Sequence, residues 1–306
     1  MKEVLITENE SGQRFDKFLE KFLPGAGKSF LYKMMRKKNI ILNGKKANGN
    51  EMLCPGDSIK VYFSDETFEK FAYKKIVDAP LIDLDIIYED KDVVFINKPY
   101  NMLSQKASQN DISLCEYLIA YLKANNSLSD EDLRAFTPSV CNRLDRNTSG
   151  LITAGKSLKG LQMLSNAFKE RLVDKYYIAI VHGEFKEDKS VSGYLVKDKS
   201  SNMVKIIKDK VQEAEFVSTK ISPLEVVSSY SLVKVKLLTG KTHQIRATLS
   251  SIGFPIVGDK KYGITDSVKR QMLHSYELFI NGNTYKAIPP DDFTDELKKL
   301  GFKYKV

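Results

Sequence analysis

The sequence predicts an α+β fold built on a mixed, largely antiparallel sheet. Helical and strand patterns intermix along it with no βαβ rhythm, which argues against a doubly wound parallel sheet. Its 306 residues have room for one large domain and a small one. A hydrophobic share of 42% is enough for a real core.

Residues 12–75 read as a small module. Phe15, Phe18, Leu19 and Phe22 recur at i, i+3, i+4 and i+7, one face of a helix, with Asp16, Lys17, Glu20 and Lys21 opposite. Pro24-Gly25 ends it. A second helix follows, with Ser29 as its expected N-cap and Phe30, Leu31, Met34 and Met35 as its apolar side. Its other residues include Lys28, Lys33, Arg36, Lys37 and Lys38, with no acid among them. Ile40–Leu42 reads as a strand, Asn43-Gly44 as a hairpin turn, and Ser58–Phe63 as a strand after the turn at Gly56-Asp57. A two-helix unit followed by LNGKKA and then PGDSIKVYF resembles the S4 RNA-binding domain. That resemblance implies that the five basic residues contact RNA, against the blander reading of a solvated charged face.

Residues 64–84 have mixed charge and no period, and the stretch 76–84 is expected to be a linker. The larger domain is expected over 85–306. It opens with a strand at 84–88, a polar turn, and a strand at 93–96 that Asn97-Lys98-Pro99 breaks. A helix is expected over 113–124, with Leu114, Tyr117, Leu118 and Tyr121 on one face, then a polar loop over 125–135. A further helix lies within 156–171, and strands are expected at 175–182, 230–238 and 284–287. The polar, Lys-rich stretch 186–215 reads as a mobile arm over a substrate.

The chemistry concentrates in Cys141-Asn142-Arg143-Leu144-Asp145-Arg146-Asn147-Thr148-Ser149-Gly150. An aspartate between two arginines stays ionised and can act as a nucleophile or anchor phosphate-binding arginines. Alone, it could equally cap a turn or pair with a structural arginine. A second motif, Leu238-Thr239-Gly240-Lys241-Thr242-His243-Gln244-Ile245-Arg246, follows about a hundred residues later.

Together the two motifs resemble the RluA-type RNA pseudouridine synthases, with their HRLDxxTSG and TGRxHQIR signatures. The likeness covers most of the chain. It implies that Asp145 is the catalytic aspartate and that Arg246 pairs with it through two hydrogen bonds. Tyr177, in Lys175-Tyr176-Tyr177-Ile178-Ala179, matches the KxYxA pattern whose tyrosine stacks on the target base. The competing reading is core packing. Tyr176 must point to the opposite face of the strand. Arg143 corresponds to the residue that fills the gap left by a flipped nucleotide, and Arg146 suits a phosphate. His243 is read as structural, as are Gly253–Gly263 and Leu273-His274-Ser275. Two positions depart from the pattern: Asn142 stands where most members have His, and Thr248 where a His often follows.

The implied reaction detaches uracil from C1′ and reattaches it through C5, with no metal and no organic cofactor. The residues leave three roles open for Asp145: attack on C1′, addition to C6, or removal of the ribose 2′ proton. The expected partner is RNA, 23S ribosomal RNA before tRNA, with a noncatalytic RNA-binding protein as the rival. A net charge of +9 favours a polyanion. Gly150–Ser157 fits the P-loop pattern by letters, but Leu151-Ile152-Thr153 looks like the strand itself, so a nucleotide cradle is not expected. Three scattered cysteines and three scattered histidines suggest neither a disulfide framework nor a zinc site. A cytoplasmic monomer with no membrane segment is the expectation.

Overall fold

The computed structural model describes residues 1–8, 10–72, 79–108, 110–130, 132–198 and 203–305. The expected boundary at 75/76 and the start of the linker lie outside them.

The N-terminal part is a four-stranded antiparallel sheet and three helices. Its strands are β1 (Lys2–Leu5), β2 (Ile40–Leu42), β3 (Lys45–Lys46) and β4 (Ser58–Val61), in the order β1-β4-β2-β3. The sequence reading, which began at residue 12, left out β1. Helix α1 (Phe15–Phe22) buries Phe15, Phe18, Leu19 and Phe22 as its spacing predicts. Asp16, expected on the outer face, is buried instead. Arg14 and Tyr32 donate to both of its oxygens at 2.9–3.0 Å, so the carboxylate stays solvated by protein donors. Helix α2 (Lys28–Arg36) is capped by Gly27, so Ser29 lies inside it. The helix ends at Arg36. Lys37 is its C-cap and Lys38 turns left-handed at φ 60, and all five basic residues are exposed. The stretch 64–84, which showed no period, begins with a helix. Ser64 accepts from Thr67 N–H and starts α3 (Asp65–Phe71), whose Phe68 is buried against Phe22. A helix of this length is too short to show a period.

The large sheet has eleven strands. These are β5 (Ile86–Glu89), β6 (Val93–Lys98), β7 (Ser139–Val140), β8 (Ser149–Gly155), β9 (Asp174–His182), β10 (Lys189–Asp198), β11 (Met203–Ile207), β12 (Glu215–Val227), β13 (Tyr230–Leu237), β14 (Leu273–Ile280) and β15 (Asn283–Lys286). The order is β11-β10-β12-β13-β9-β14-β8-β6-β5, with β15 on β14 and β7 on β8. Among the described residues only β14 and β8 pair in parallel in it, so the sheet is mixed and largely antiparallel as expected. The helices are α4 (Leu114–Ala124), α5 (Asp132–Ala135), α6 (Leu158–Lys169), α7 (Gln244–Ser251) and α8 (Asp291–Lys299). Among the described residues no helix is long and apolar enough to cross a membrane.

Residues 186–215 are no loose arm. Half of them form the paired strands β10 and β11, whose Leu195 and Val204 pack with Val217 against Ala247 and Tyr262. The exposed Lys189, Lys197 and Lys205 and the small polar residues among them hid the few buried apolar ones. Part of the expected loop 125–135 is the helical turn α5, started by Ser129 donating to Asp132. Strand β6 runs through Lys98 and ends only there. Strand β12 escaped the sequence reading because it contains Pro223, which is tolerated at a register shift in the ladder with β13.

Candidate active site

The Asp145 loop joins β7 to β8 and is pinned at almost every residue. Asn142 donates to Leu151 O at 3.2 Å and accepts from Thr153 N–H at 2.8 Å. Its amide is therefore spent on β8, a task that needs no charge. The Ser104 hydroxyl donates to Leu144 O and accepts from Leu144 N–H. The buried Lys98 ammonium donates to the carbonyls of Pro99, Met102 and Arg146. Burial and the nearby Arg270 push Lys98 down to about 7, and the Asp145 charge opposes that. Arg270 reaches Asn147 O, and Gln271 reaches Thr148 Oγ1. Ser149 Oγ lies 2.9 Å from His274 Nδ1.

Gly150 closes the loop. Its φ is 113°, and a Cβ there would sit 2.2 Å from Ser275 O, so only glycine lets β8 meet β14 this closely. The Thr-Ser-Gly of the motif is thus the docking edge of the loop on β14. With the backbone held, Asp145 and the exposed Arg143 and Arg146 are left to face a cleft of about 1080 Å³.

The opposite wall comes from α7. Arg246 is 6% exposed and donates from Nη1 to Asp145 Oδ2 at 2.9 Å. That is one hydrogen bond, where the sequence reading expected two. The paired bonds go to Asp259, which is wholly buried: Nε to Oδ2 and Nη2 to Oδ1, both 2.7 Å. Asp259 Oδ1 also accepts from the backbone N–H of Lys261 and Tyr262. These bonds and the Arg246 charge hold its carboxyl below the usual range, against the opposing effect of burial. Among the described residues no hydrogen bond reaches Asp145 Oδ1. Thr248, on the same helix, is buried with its hydroxyl unpartnered.

The sequence suggests a structural role for His243, with nothing to present it to the base. The fold places its Nε2 3.8 Å from Asp145 Oδ2. It caps α7 in the left-handed region at φ 55, a strained place for a side-chain-bearing residue. Desolvation holds its imidazole below the usual histidine range. Tyr177 lines the same cleft from β9, 6% exposed, and burial pushes its phenol up to about 12. Tyr176 points the other way, under Lys234 and Lys236. Cys141 also lines the cleft, and burial raises its thiol to about 11, which keeps it a poor nucleophile at neutral pH. The cleft rim carries Lys197, Lys260, Lys261 and Lys269, all exposed.

Asp145, Tyr177, Arg246, Arg143 and Arg146 therefore share one cleft. Lys28 and Arg36 line a separate shallow groove of about 430 Å³ on the N-terminal part. The sequence reading missed Asp259, Lys98 and Ser104. The Gly258-Asp259-x-x-Tyr262-Gly263 turn was visible, but nothing local shows that its acid meets an arginine thirteen residues earlier. Gly258 has φ 77°, and a Cβ there would meet Arg270 O at 2.0 Å, which marks a forced turn.

Residues 92–251 match the model of the RNA pseudouridylate synthase family. An uncharacterised RNA pseudouridine synthase of Mycoplasma genitalium is 30% identical over 284 residues, covering 90% of this chain and 87% of that protein. The chain belongs to the RNA pseudouridylate synthase family. A ribosomal large subunit pseudouridine synthase D of Borreliella burgdorferi is 30% identical over 277 residues, covering 86% of this chain and 82% of that protein. The human RNA pseudouridylate synthase domain containing 4 shares the fold, with a TM-score of 0.58 at 22% identity over 70% of this chain and 92% of its own. This pseudouridine synthase is thus an isomerase that converts uridine to pseudouridine in RNA.

Proposed function

We propose that this pseudouridine synthase modifies uridines of large-subunit, 23S ribosomal RNA with Asp145 as its catalytic carboxylate. The observation that carries the reading is the divided state of Asp145: Arg246 holds Oδ2, while Oδ1 faces a basic-rimmed cleft with no protein partner among the described residues. In this reading Arg246 orients the carboxylate, and Tyr177 supplies a ring against the target base from inside the cleft. A uridine in folded RNA must leave its stack, at a cost of roughly a few kcal/mol, and Arg143 fills the space behind it. Arg146 meets phosphate.

The N-terminal part is proposed to be an S4-like RNA-binding domain. Its small antiparallel sheet and its exposed Lys28, Lys33, Arg36, Lys37 and Lys38 support that. The ribosomal substrate is supported by the name of the Borreliella relative.

The test is pseudouridine formation on large-subunit ribosomal RNA and on tRNA transcripts, by wild type and by Asp145→Asn. The variant is expected to bind RNA normally and to lose at least ~10³-fold in rate, because an amide is a poor nucleophile and a poor base. Activity of the variant within tenfold of wild type would remove Asp145 from the chemistry. Turnover confined to tRNA would overturn the ribosomal assignment. Binding without turnover by wild type on every RNA would favour a noncatalytic role.

A further inference from the structure

The turn that carries Asp259 also carries Tyr262, which touches both groups facing Asp145. Its ring lies 5.0 Å from Arg246 Cζ. Its hydroxyl accepts from Val204 N–H at 2.8 Å and stands 3.0 Å from His243 Nδ1. Tyr262 is 9% exposed, so water has little access to compete. Proton counting then points to one histidine tautomer. Val204 N–H already donates to the phenol oxygen, and the phenol has one proton of its own to give. Among the described residues, His243 Nδ1 is the partner shown for that proton. An Nδ1 that accepts leaves the ring proton on Nε2, the atom that faces Asp145.

We propose that Tyr262 and His243 are positioning residues for Asp145: Tyr262 fixes His243 as the neutral Nε2–H tautomer, and that N–H supports Oδ2 beside Arg246, so that Oδ1 alone meets the nucleotide. The 3.8 Å separation is longer than a hydrogen bond, and a closure of roughly 0.6–1 Å on substrate binding would make one. The groups around His243 are balanced. Asp145 and Asp259 favour its charged form, Arg246 and Lys261 disfavour it, and burial sides with the neutral ring. Because Val204 belongs to β11, the relay also ties the β10–β11 hairpin to the Asp145 carboxylate. The proposal rests on the reading of Asp145 as the catalytic group.

The chain has only three histidines, so ¹⁵N-histidine NMR can separate them. His274 is an internal standard. Its Nε2 lies 2.9 Å from Ala287 O, which can only accept, so His274 is itself an Nε2–H ring. Wild-type His243 is expected to show the same nitrogen pattern at pH 7. Tyr262→Phe should turn it into a tautomer mixture and raise its titration midpoint. Single-turnover rate should fall roughly tenfold, the factor one ordinary hydrogen bond carries, with RNA affinity unchanged. His243→Gln, whose amide can donate towards Oδ2, should keep more activity than His243→Ala. An Nδ1–H or doubly protonated His243 in wild type at pH 7 overturns the proposal, as does an unchanged His243 signal in Tyr262→Phe. The wild-type spectrum decides the tautomer even if that variant does not fold. Full turnover by Asp145→Asn would overturn the reading of Asp145 whatever the tautomer.

Discussion

Arg246 turns the two-pronged edge of its guanidinium to Asp259 and gives Asp145 a single N–H. The guanidinium is thereby locked in plane before any substrate arrives. A bidentate pair fixes direction as well as distance. The remaining Nη1 can then point at one oxygen of Asp145 without bending the other into a second bond. Asp259 is buried completely, and its backbone partners at Lys261 and Tyr262 lock it in turn.

Asp259→Ala should therefore harm both fold and rate. It strands a buried guanidinium, which costs about 3–5 kcal/mol in such pairs. Arg246→Lys keeps the charge but cannot reach Asp259 with two N–H groups and Asp145 with a third. We expect a smaller stability loss than for Asp259→Ala and a sharp fall in turnover. Denaturant melts and single-turnover rates on the same samples check this. Normal turnover in both variants would show that Asp145 is held by something else.

Tyr177→Phe keeps the ring in the cleft and removes a buried hydroxyl. Its expected stability loss is about 1 kcal/mol. The wild-type phenol, pushed up to about 12, stays protonated through the assay range, so no rate limb near pH 10 should belong to it. The stability sign runs the same way. Between the unfolded value near 10 and about 12 the folded state holds the extra proton, so stability falls as pH rises through that window. A tyrosinate limb near pH 10 that vanishes in Tyr177→Phe would contradict the burial argument.

His274 should make the protein acid-sensitive. Burial pushes its imidazole down to about 4, below the unfolded value near 6.5. Below pH 6.5 the unfolded chain takes up a proton that the folded ring refuses until pH 4. Stability is thus full above pH 6.5 and falls by up to roughly 3 kcal/mol on the way to pH 4. His274→Gln should flatten the loss measured by urea melts at pH 7.5, 5.5 and 4.5. An equally steep loss in the variant would assign the acid sensitivity to other groups.

Removal of residues 1–78 should leave the larger core intact. The small core cluster lies within residues 4–72, and the large one starts at Ile82. The ties between the two parts include the exposed pairs Gln162 to Gly12 O at 3.3 Å and Lys91 to Glu8 at 3.6 Å, and α1 also lies against α5. If two or three of the five basic residues touch single-stranded RNA phosphate, their loss flattens the slope of log affinity against log salt by about 1.4–2.1. Binding across a salt series measures this, with turnover at saturating RNA expected to change much less. An unchanged slope would mean that the α2 face does not meet RNA, and an unfolded product would misplace the boundary.

Much of the fold was legible in local pattern. The spacing of Phe15, Phe18, Leu19 and Phe22 gave α1 its buried face, and the lack of a βαβ rhythm pointed to the mixed antiparallel sheet. The two motifs that hold Asp145 and Arg246 could be read in the same way, because each is short and dense in unusual residues. The strands β10 and β11 could not, since few of their residues are buried apolar ones and those pack on Val217, Ala247 and Tyr262, distant in sequence. Local sequence also said nothing of which acid Arg246 would clasp, or that His243 would lean on Tyr262 and face Asp145. Those pairings span 13, 19 and 98 residues. Hydrophobic period records which way a side chain faces its own element. Which polar groups share a buried space is decided only when β14 closes on β8 and the turn at Gly258 packs against Arg270, so that each donor must find the acceptor the fold has left beside it.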